Sequence, residues 1–295
     1  MELSDLHVFR TVVEAGGITH AAKRLHRVQS NVTARIRKLE EDLQVQLFVR
    51  ESRRLQLTPA GRTLLGYADQ LLGLAARARE ALHDTTPRGL LRIGTMESTA
   101  GVRLPAPLAE YHRRYPEVQI ELEIGSPRTL IPRLLNGTMD VALLAEPFEG
   151  GIAALDARFD HRVVFVENLV LVSAANHPPI RRPQDVKVGT VLAFHPGCSH
   201  RERLLAWFTR GGANPGRVVE LSSYHTMLGC IAAGMGVGLM PASVLQNFSG
   251  SDRLRTHKLP PPFHKAQTVM LWRKEMPTPK VLALAEILEK GRASA

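Results

Sequence analysis

The stretch GITHAAKRLHRVQSNVTARIRKLE, from Gly17 to Glu40, limits most tightly how this chain folds. Ile18, Ala21, Ala22 and Leu25 recur at i, i+3, i+4 and i+7, giving a short helix an apolar face and leaving Lys23 and Arg24 on a basic outer one. That helix is predicted to end near His26. Val28, Val32, Ile36, Leu39 and Leu43 then repeat at helical spacing as the buried stripe of a second helix. Two short helices joined by a tight turn form a helix-turn-helix. Residues 3 to 14 read as an earlier helix, packed on the pair through Leu6, Phe9 and Val13.

At about 100° per residue, the face opposite the stripe carries Ser30, Thr33, Ala34 and Arg37, with Gln29 and Asn31 on its flanks. Short hydrogen-bonding groups at a helix start, with a cation further along, are what a recognition helix sets against base edges. Gln29 and Asn31 each suit bidentate pairing with adenine. Ser30, Thr33 and Arg37 suit phosphate and sugar, contacts that position without specifying. The same periodicity also fits a solvated helix pair in an all-helical core. Charge favours the first reading: between His20 and Thr63 ten Lys/Arg stand against four Asp/Glu, a net of +6.

The helix pair followed by LEEDLQVQLFVRESRRLQLTPAG, Leu39 to Gly61, resembles the N-terminal domain of LysR-type transcriptional regulators. The likeness joins an Ala-Ala helix, a recognition helix opened by Gln29, the Leu47-Phe48-x-Arg50 strand and the Leu57-Thr58-x-x-Gly61 turn, in that order. It implies a winged helix-turn-helix over residues 1–58, with Arg50 among its DNA contacts and Arg53 and Arg54 at a β-wing tip on the DNA backbone. Many members carry an arginine where this chain has Ala34, so Arg35 or Arg37 is expected to compensate.

A chain of 295 residues, 44% apolar and 22% charged, is long enough for two globular domains. Its net charge of +10 fits a polyanionic partner, though also a membrane surface. Clustering around the helix pair favours nucleic acid. No run of roughly eighteen apolar residues occurs, so no spanning helix is expected. MELSDLHVFR lacks the charged start and apolar core of a signal peptide, so the expected location is the cytoplasm. Cys198 and Cys230 are too few for a disulfide framework and suit free thiols.

After the wing, Thr58 and Pro59 open a longer helix in which Leu64, Ala68, Leu71, Ala75, Ala78 and Leu82 alternate in steps of four and three. That is a coiled-coil seam. Extending about 35 Å at 1.5 Å per residue, it is read as a dimerisation element, the other reading being a helix packed on its own domain. Thr85, Thr86, Pro87 and Gly89 break it, making residues 59–88 a linker helix and hinge.

From Gly89 onward strands and helices alternate, which predicts an α/β domain with a mostly parallel sheet. Strands are expected at 90–93, 118–124, 140–145, 163–172, 190–194, 217–221 and 236–240, with helices at 100–115, 128–135, 200–210 and 225–233. RYPEVQIEL, LLNGTMDVALL and IAAGMGVGLMP resemble the effector-binding half of LysR-type regulators. The resemblance implies a two-subdomain, periplasmic-binding-protein-like effector domain over 89–295. Subdomain I would be 89–163 and 268–295, and subdomain II 164–267.

Ligands in open α/β sheets bind beyond the carboxyl ends of strands. That rule selects Glu97, Ser98, Thr99, Thr129, Phe148, His195, Cys198, His200, Arg201, His225 and Thr226 for a carboxylate- or amine-bearing effector. Each Ser or Thr there equally suits a helix N-cap. Glu97 either faces the cleft, favouring a ligand with an amine, or caps the next helix. The run His195-Pro-Gly-Cys198-Ser-His200-Arg201 opens two rival readings, a metal site and a reactive thiol of lowered pKa. No partner cysteine lies close in sequence to Cys198, so pocket lining ranks above both.

Gly234, Gly236 and Gly238 follow a helix and precede a strand, the reverse of a dinucleotide fingerprint. No nucleophile elbow, P-loop or zinc-protease motif occurs. The expectation is a LysR-type regulator, not an enzyme, without cofactor or metal. Its partners would be an inverted-repeat duplex, a small effector, a second copy or a tetramer, and, as the resemblance allows, RNA polymerase. An enzyme on a binding-protein fold is the remaining alternative.

Overall fold

A computed structural model describes residues 1–51, 54–83, 86–146, 157–246, 248–275 and 277–293. It divides into two compact units, Met1–Asp84 with Asn136–Thr138, and Thr85–Leu135 with Met139–Ala295.

The first unit runs α1 (Leu3–Glu14), α2 (Ile18–Arg24), α3 (Gln29–Leu43), β1 (Phe48–Glu51), β2 (Arg54–Leu57) and α4 (Pro59–His83). A reciprocal box between Glu2 and Asp5 starts α1. Gly16 and Gly17, at φ +70° and +151°, turn the chain into α2 through backbone that favours glycine. Leu6, Phe9, Val12, Ala21, Ala22, Val32, Ile36, Leu39, Leu47 and Ala68 form the core. The expected stripe on α3 therefore holds from Val32 onward. Its first member does not: Val28 is the extended N-cap, out of phase with the helix, and stays 68% exposed.

β1 and β2 pair antiparallel, from Phe48 opposite Leu57 to Glu51 opposite Arg54. Glu40 Oε1 accepts the N–H groups of Leu47 and Phe48 at 2.7 and 3.2 Å, tying the end of α3 to this ribbon. Thr58 caps α4 as expected, its hydroxyl accepting Gly61 N–H at 2.9 Å and donating to Gln46 O at 2.7 Å. The seam on α4 splits. Ala68 is buried in the unit's own core and Leu64 packs on it, whereas Tyr67, Leu71 and Leu74 are exposed.

The second unit continues with β3 (Gly89–Thr95), α5 (Pro105–Arg114), β4 (Val118–Ile124), α6 (Pro127–Leu135), β5 (Val141–Ala145) and β6 (Phe159–Ala174). Then follow β7 (Thr190–Ala193), α7 (Ser199–Arg210), β8 (Arg217–Glu220), α8 (Tyr224–Ala232), β9 (Val237–Pro241), α9 (Ala242–Leu245), β10 (Leu254–Lys258), β11 (Lys265–Arg273) and α10 (Pro279–Ala293). The strand order is β4-β3-β5-β11-β6-β9-β7-β8, with β10 also on β6. β3, β4 and β5 are mutually parallel, as are β7, β8 and β9, while β6 and β11 run antiparallel to their neighbours.

The sixteen-residue β6 joins the halves. Up to Asn168 it pairs with β11, and from Leu169 it pairs with β9. Each half has its own core, one around Ile93, Leu143, Met270 and Leu284, the other around Leu171, Val191, Trp207 and Val237.

The single helix expected over 100–115 is two pieces, a wide π-type turn at Thr99–Arg103 and then α5. Pro105 has no N–H to continue an ordinary ladder, and Leu104 N–H reaches back five residues to Thr99 O at 3.0 Å. Gly234 ends α8 at φ +83°, and a Cβ on Gly236 would stand 2.6 Å from Thr190 O, so these glycines terminate a helix and let strands approach.

A Cβ on Gly61 would stand 2.2 Å from Leu47 O, a backbone atom that cannot swing aside. Gly61→Ala should therefore lower unfolding free energy by about 1–3 kcal/mol, read from urea midpoints, whereas Gly66→Ala, with open space around it, should not destabilise.

Candidate functional site

On the first unit, α3 presents Gln29, Ser30, Asn31, Ala34, Arg37 and Lys38 as exposed residues, with Thr33 half-buried. Two of the amides are steadied by neighbours. Gln29 Nε2 donates to Thr19 Oγ1 at 2.9 Å, and Arg27 donates to Asn31 Oδ1 at 3.3 Å. Thr33 donates its hydroxyl to Gln29 O at 2.9 Å. Arg35 is different. Its guanidinium meets Asp5 Oδ1 at 3.0 Å and Ser4 Oγ at 2.9 Å, and Asp5 is a buried carboxylate. That cation fastens α3 to α1. Arg50 lies on β1 opposite Leu55, but its side chain, like Arg53 and Phe148, lies outside the described residues.

On the second unit, the loops after β3, β4 and β7 and the start of α8 enclose a cavity of about 160 Å³. Its polar lining is Glu97, Ser98, Ser126, His195, Cys198, His200, Ser222 and Tyr224, and its apolar lining is Met96, Ile124, Pro127 and Phe194. Among the described residues neither Lys nor Arg lines it. Glu97 lines the cavity, and in place of the next helix it caps a distant one, its Oε1 accepting Tyr224 N–H at 3.3 Å at the start of α8. Burial raises its pKa, against the lowering effect of that bond.

Five of the predicted effector residues, Glu97, Ser98, His195, Cys198 and His200, meet here. Five do not. Thr99 is buried in the π-type turn. The Thr129 hydroxyl is spent on the Ser126 backbone, accepting its N–H at 3.1 Å and donating to its carbonyl at 3.0 Å. Arg201 turns away to Phe194 O at 2.8 Å and Glu220 at 3.3 Å. His225 and Thr226 follow Tyr224 round the helix onto another face, beside Phe248 and Arg253. Ser126 and Ser222 were missed, because an N-cap hydroxyl and its neighbour compete for the same bond and sequence does not rank them.

His200 is 4% exposed, and its Nδ1 lies 2.8 Å from the Tyr224 hydroxyl. Burial lowers its pKa to about 4, so the ring is neutral at pH 7. Cys198 caps α7, where burial pushes the thiol up more strongly than the N–H groups of Arg201 and His200 pull it down. The lowered pKa required for a reactive thiol is overturned. Among the described residues no three His, Cys, Asp or Glu side chains come together as metal ligands.

Comparison with known proteins settles the lineage. Residues 3–62 match the bacterial regulatory helix-turn-helix protein, lysR family, and residues 84–293 match the LysR substrate binding domain. The chain belongs to the LysR family. It is 36% identical to the HTH-type transcriptional regulator GltR of Bacillus subtilis, over 93% of this chain and 91% of that one. It is 34% identical to CzcR of Bacillus anthracis, over 93% and 92%. Full-length CbnR complexed with its target DNA superposes with a TM-score of 0.70 at 25% identity, over 98% and 99%.

This LysR-family chain is accordingly a DNA-binding transcriptional regulator with an effector-binding domain, and LysR regulators bind DNA and small effectors and form oligomers. No described helix is long and apolar enough to cross a membrane.

The two arginines of α3 separate experimentally. Arg35→Ala should cost about 2 kcal/mol of stability by stranding the Asp5 carboxylate, whereas Arg37→Ala should leave the melting temperature in place and weaken DNA binding.

Proton linkage gives a second test in this LysR protein. An unfolded His200 takes up its proton below its ordinary value of 6.5, but the folded one only near 4, so this residue's stabilisation is present above pH 6.5 and falls as pH drops towards 4. Glu97, raised by burial, acts in the opposite sense near its own range. The difference between wild type and His200→Gln isolates the histidine: between pH 7.5 and 5 wild type should lose about 2 kcal/mol more than the variant, read from urea midpoints.

Proposed function

We propose that the face of α3 from Gln29 to Arg37 enters a major groove, with Gln29 and Asn31 on base edges and Ser30, Thr33, Arg37, Arg50 and Arg53 on the backbone. The observation that carries this is the exposed polar edge of α3, set in a segment of net charge +6 from ten Lys/Arg and four Asp/Glu. Residues 1–58 serve as the reading head, 59–88 as linker and 89–295 as effector domain. Two copies pair through the exposed Tyr67, Leu71 and Leu74 side of α4 and set their heads on an inverted repeat, as a dimer or a tetramer able to meet RNA polymerase.

The cavity beside Glu97, Ser98, His195, Cys198 and His200 takes a small effector that changes how the heads are presented. The protein works in the cytoplasm as a regulator and not as an enzyme. Support comes from relatives over nine-tenths of the chain that are named transcriptional regulators.

Gel shifts with duplex from the region upstream of its own gene, between about 50 and 200 mM salt, test the reading. Affinity should fall by several powers of ten, and Arg37→Ala should reduce the log–log slope by about one. A response flat in salt overturns it.

A further inference from the structure

Two buried polar atoms in the wall of the cavity have no hydrogen-bond partner within the protein, His200 Nε2 and Ser126 Oγ. Their residues are 4% and 3% exposed, so bulk water does not serve them. An unpaired buried polar atom costs about 1–3 kcal/mol. Both belong to residues that line one cavity, Ser126 in the loop before α6 and His200 on α7, which fits a site that hydrogen-bonds something entering it.

The direction of those bonds follows from the neighbours. Among the described residues the Tyr224 phenol is the hydrogen-bond partner of the His200 ring, 2.8 Å from its Nδ1. A phenol is a stronger acid than a neutral imidazole N–H, so it donates to Nδ1 and leaves the ring proton on Nε2. Tyr224 and His200 thus form a pair that leaves an N–H donor on a residue of the cavity wall. Ser126 Oγ–H is a second donor. Both ask for an acceptor, and the start of α6 beside Ser126 favours one with negative charge.

The opposite demand comes from Glu97. One of its oxygens accepts Tyr224 N–H, and among the described residues no Lys or Arg lines the cavity to neutralise the carboxylate. A dianionic ligand would meet this charge without a cation in reach, whereas an ammonium would pair with it. Met96, Ile124, Pro127 and Phe194 give apolar surface to the remainder of the ligand, beside the uncharged polar groups of Cys198 and Ser222.

We infer that the effector is a small α-amino acid with an uncharged side chain, its carboxylate held by Ser126 Oγ and His200 Nε2 and its ammonium by Glu97. The inference rests on the reading of this cavity as the effector site and names the chemistry that fills it.

Calorimetric titration of the full-length chain tests it with L-alanine, L-serine, L-valine, L-leucine and L-methionine. Each is compared with its des-amino carboxylic acid and its decarboxylated amine, and succinate serves as a dianion. At least one amino acid should bind, with both truncated forms at least tenfold weaker. Ser126→Ala should weaken that amino acid about tenfold, and Glu97→Gln should erase its advantage over the des-amino acid. Succinate or a truncated form binding as tightly as the amino acid overturns the inference and leaves the effector-site reading standing. Silence from every probe overturns the inference, and silence that persists in gel shifts with metabolite extract overturns the effector-site reading as well.

Discussion

A carboxylate set against the first N–H of a helix governs the effector-binding unit. Glu97 follows β3 in one half, Tyr224 opens α8 in the other, and the 3.3 Å bond between them spans the cleft. The start of a helix is where an anion is most favoured, by its unpaired N–H groups and by its dipole. Here the chain supplies that anion itself. Recognition of a ligand's negative end is therefore displaced to Ser126 and His200, and the carboxylate that holds the cleft also sets the sign of charge the cavity accepts.

The same economy holds at the crossing between the halves. Because β6 passes unbroken from one set of partners to the other, any movement of the halves must be absorbed close to Asn168 and Leu169. Just before that point Glu167 takes two bonds from Arg103, at 2.6 and 3.0 Å, and a third from Ser243 at 3.0 Å. Arg103 closes the π-type turn whose first residues follow Ser98. The widened turn forced by Pro105 thus connects one wall of the cavity to the strand on which both halves depend. Ser199 adds a further tie, donating to Ala145 O at 3.3 Å.

What was legible in the sequence follows the range of the forces involved. Helical periodicity is local, so α1, α2 and α3 and the cap at Thr58 were readable from neighbours three and four residues apart. The alternation of strands and helices, and the loops that carry the cavity, were readable for the same reason. Arg35 was not, because what decides it is Asp5, thirty residues back on another helix. Val28 was misread because a cap shares the sequence spacing of a helix but not its backbone. At the cavity, α8 starts at Tyr224, one residue before the expected His225, and that phase turns the phenol towards His200 and His225 to another face. Whether Ser126 or Thr129 spends its hydroxyl on the cap of α6 is likewise a matter of geometry that composition does not contain.

Charge is what keeps the two activities of the molecule apart. Contacts to a phosphate backbone draw on exposed arginines and lysines, and their strength dissolves as counterions are restored. The cavity works the other way: it has no Lys or Arg among the described residues of its walls, keeps His200 neutral by burial, and relies on hydrogen bonds and a partly buried carboxylate that salt screens weakly. A cationic lining would have made every cellular polyanion and dicarboxylate a competitor for the effector position. With a basic reading segment and a carboxylate in the cavity wall, the chain lets ionic strength tune the hold on DNA while the metabolite is judged by shape and hydrogen bonding.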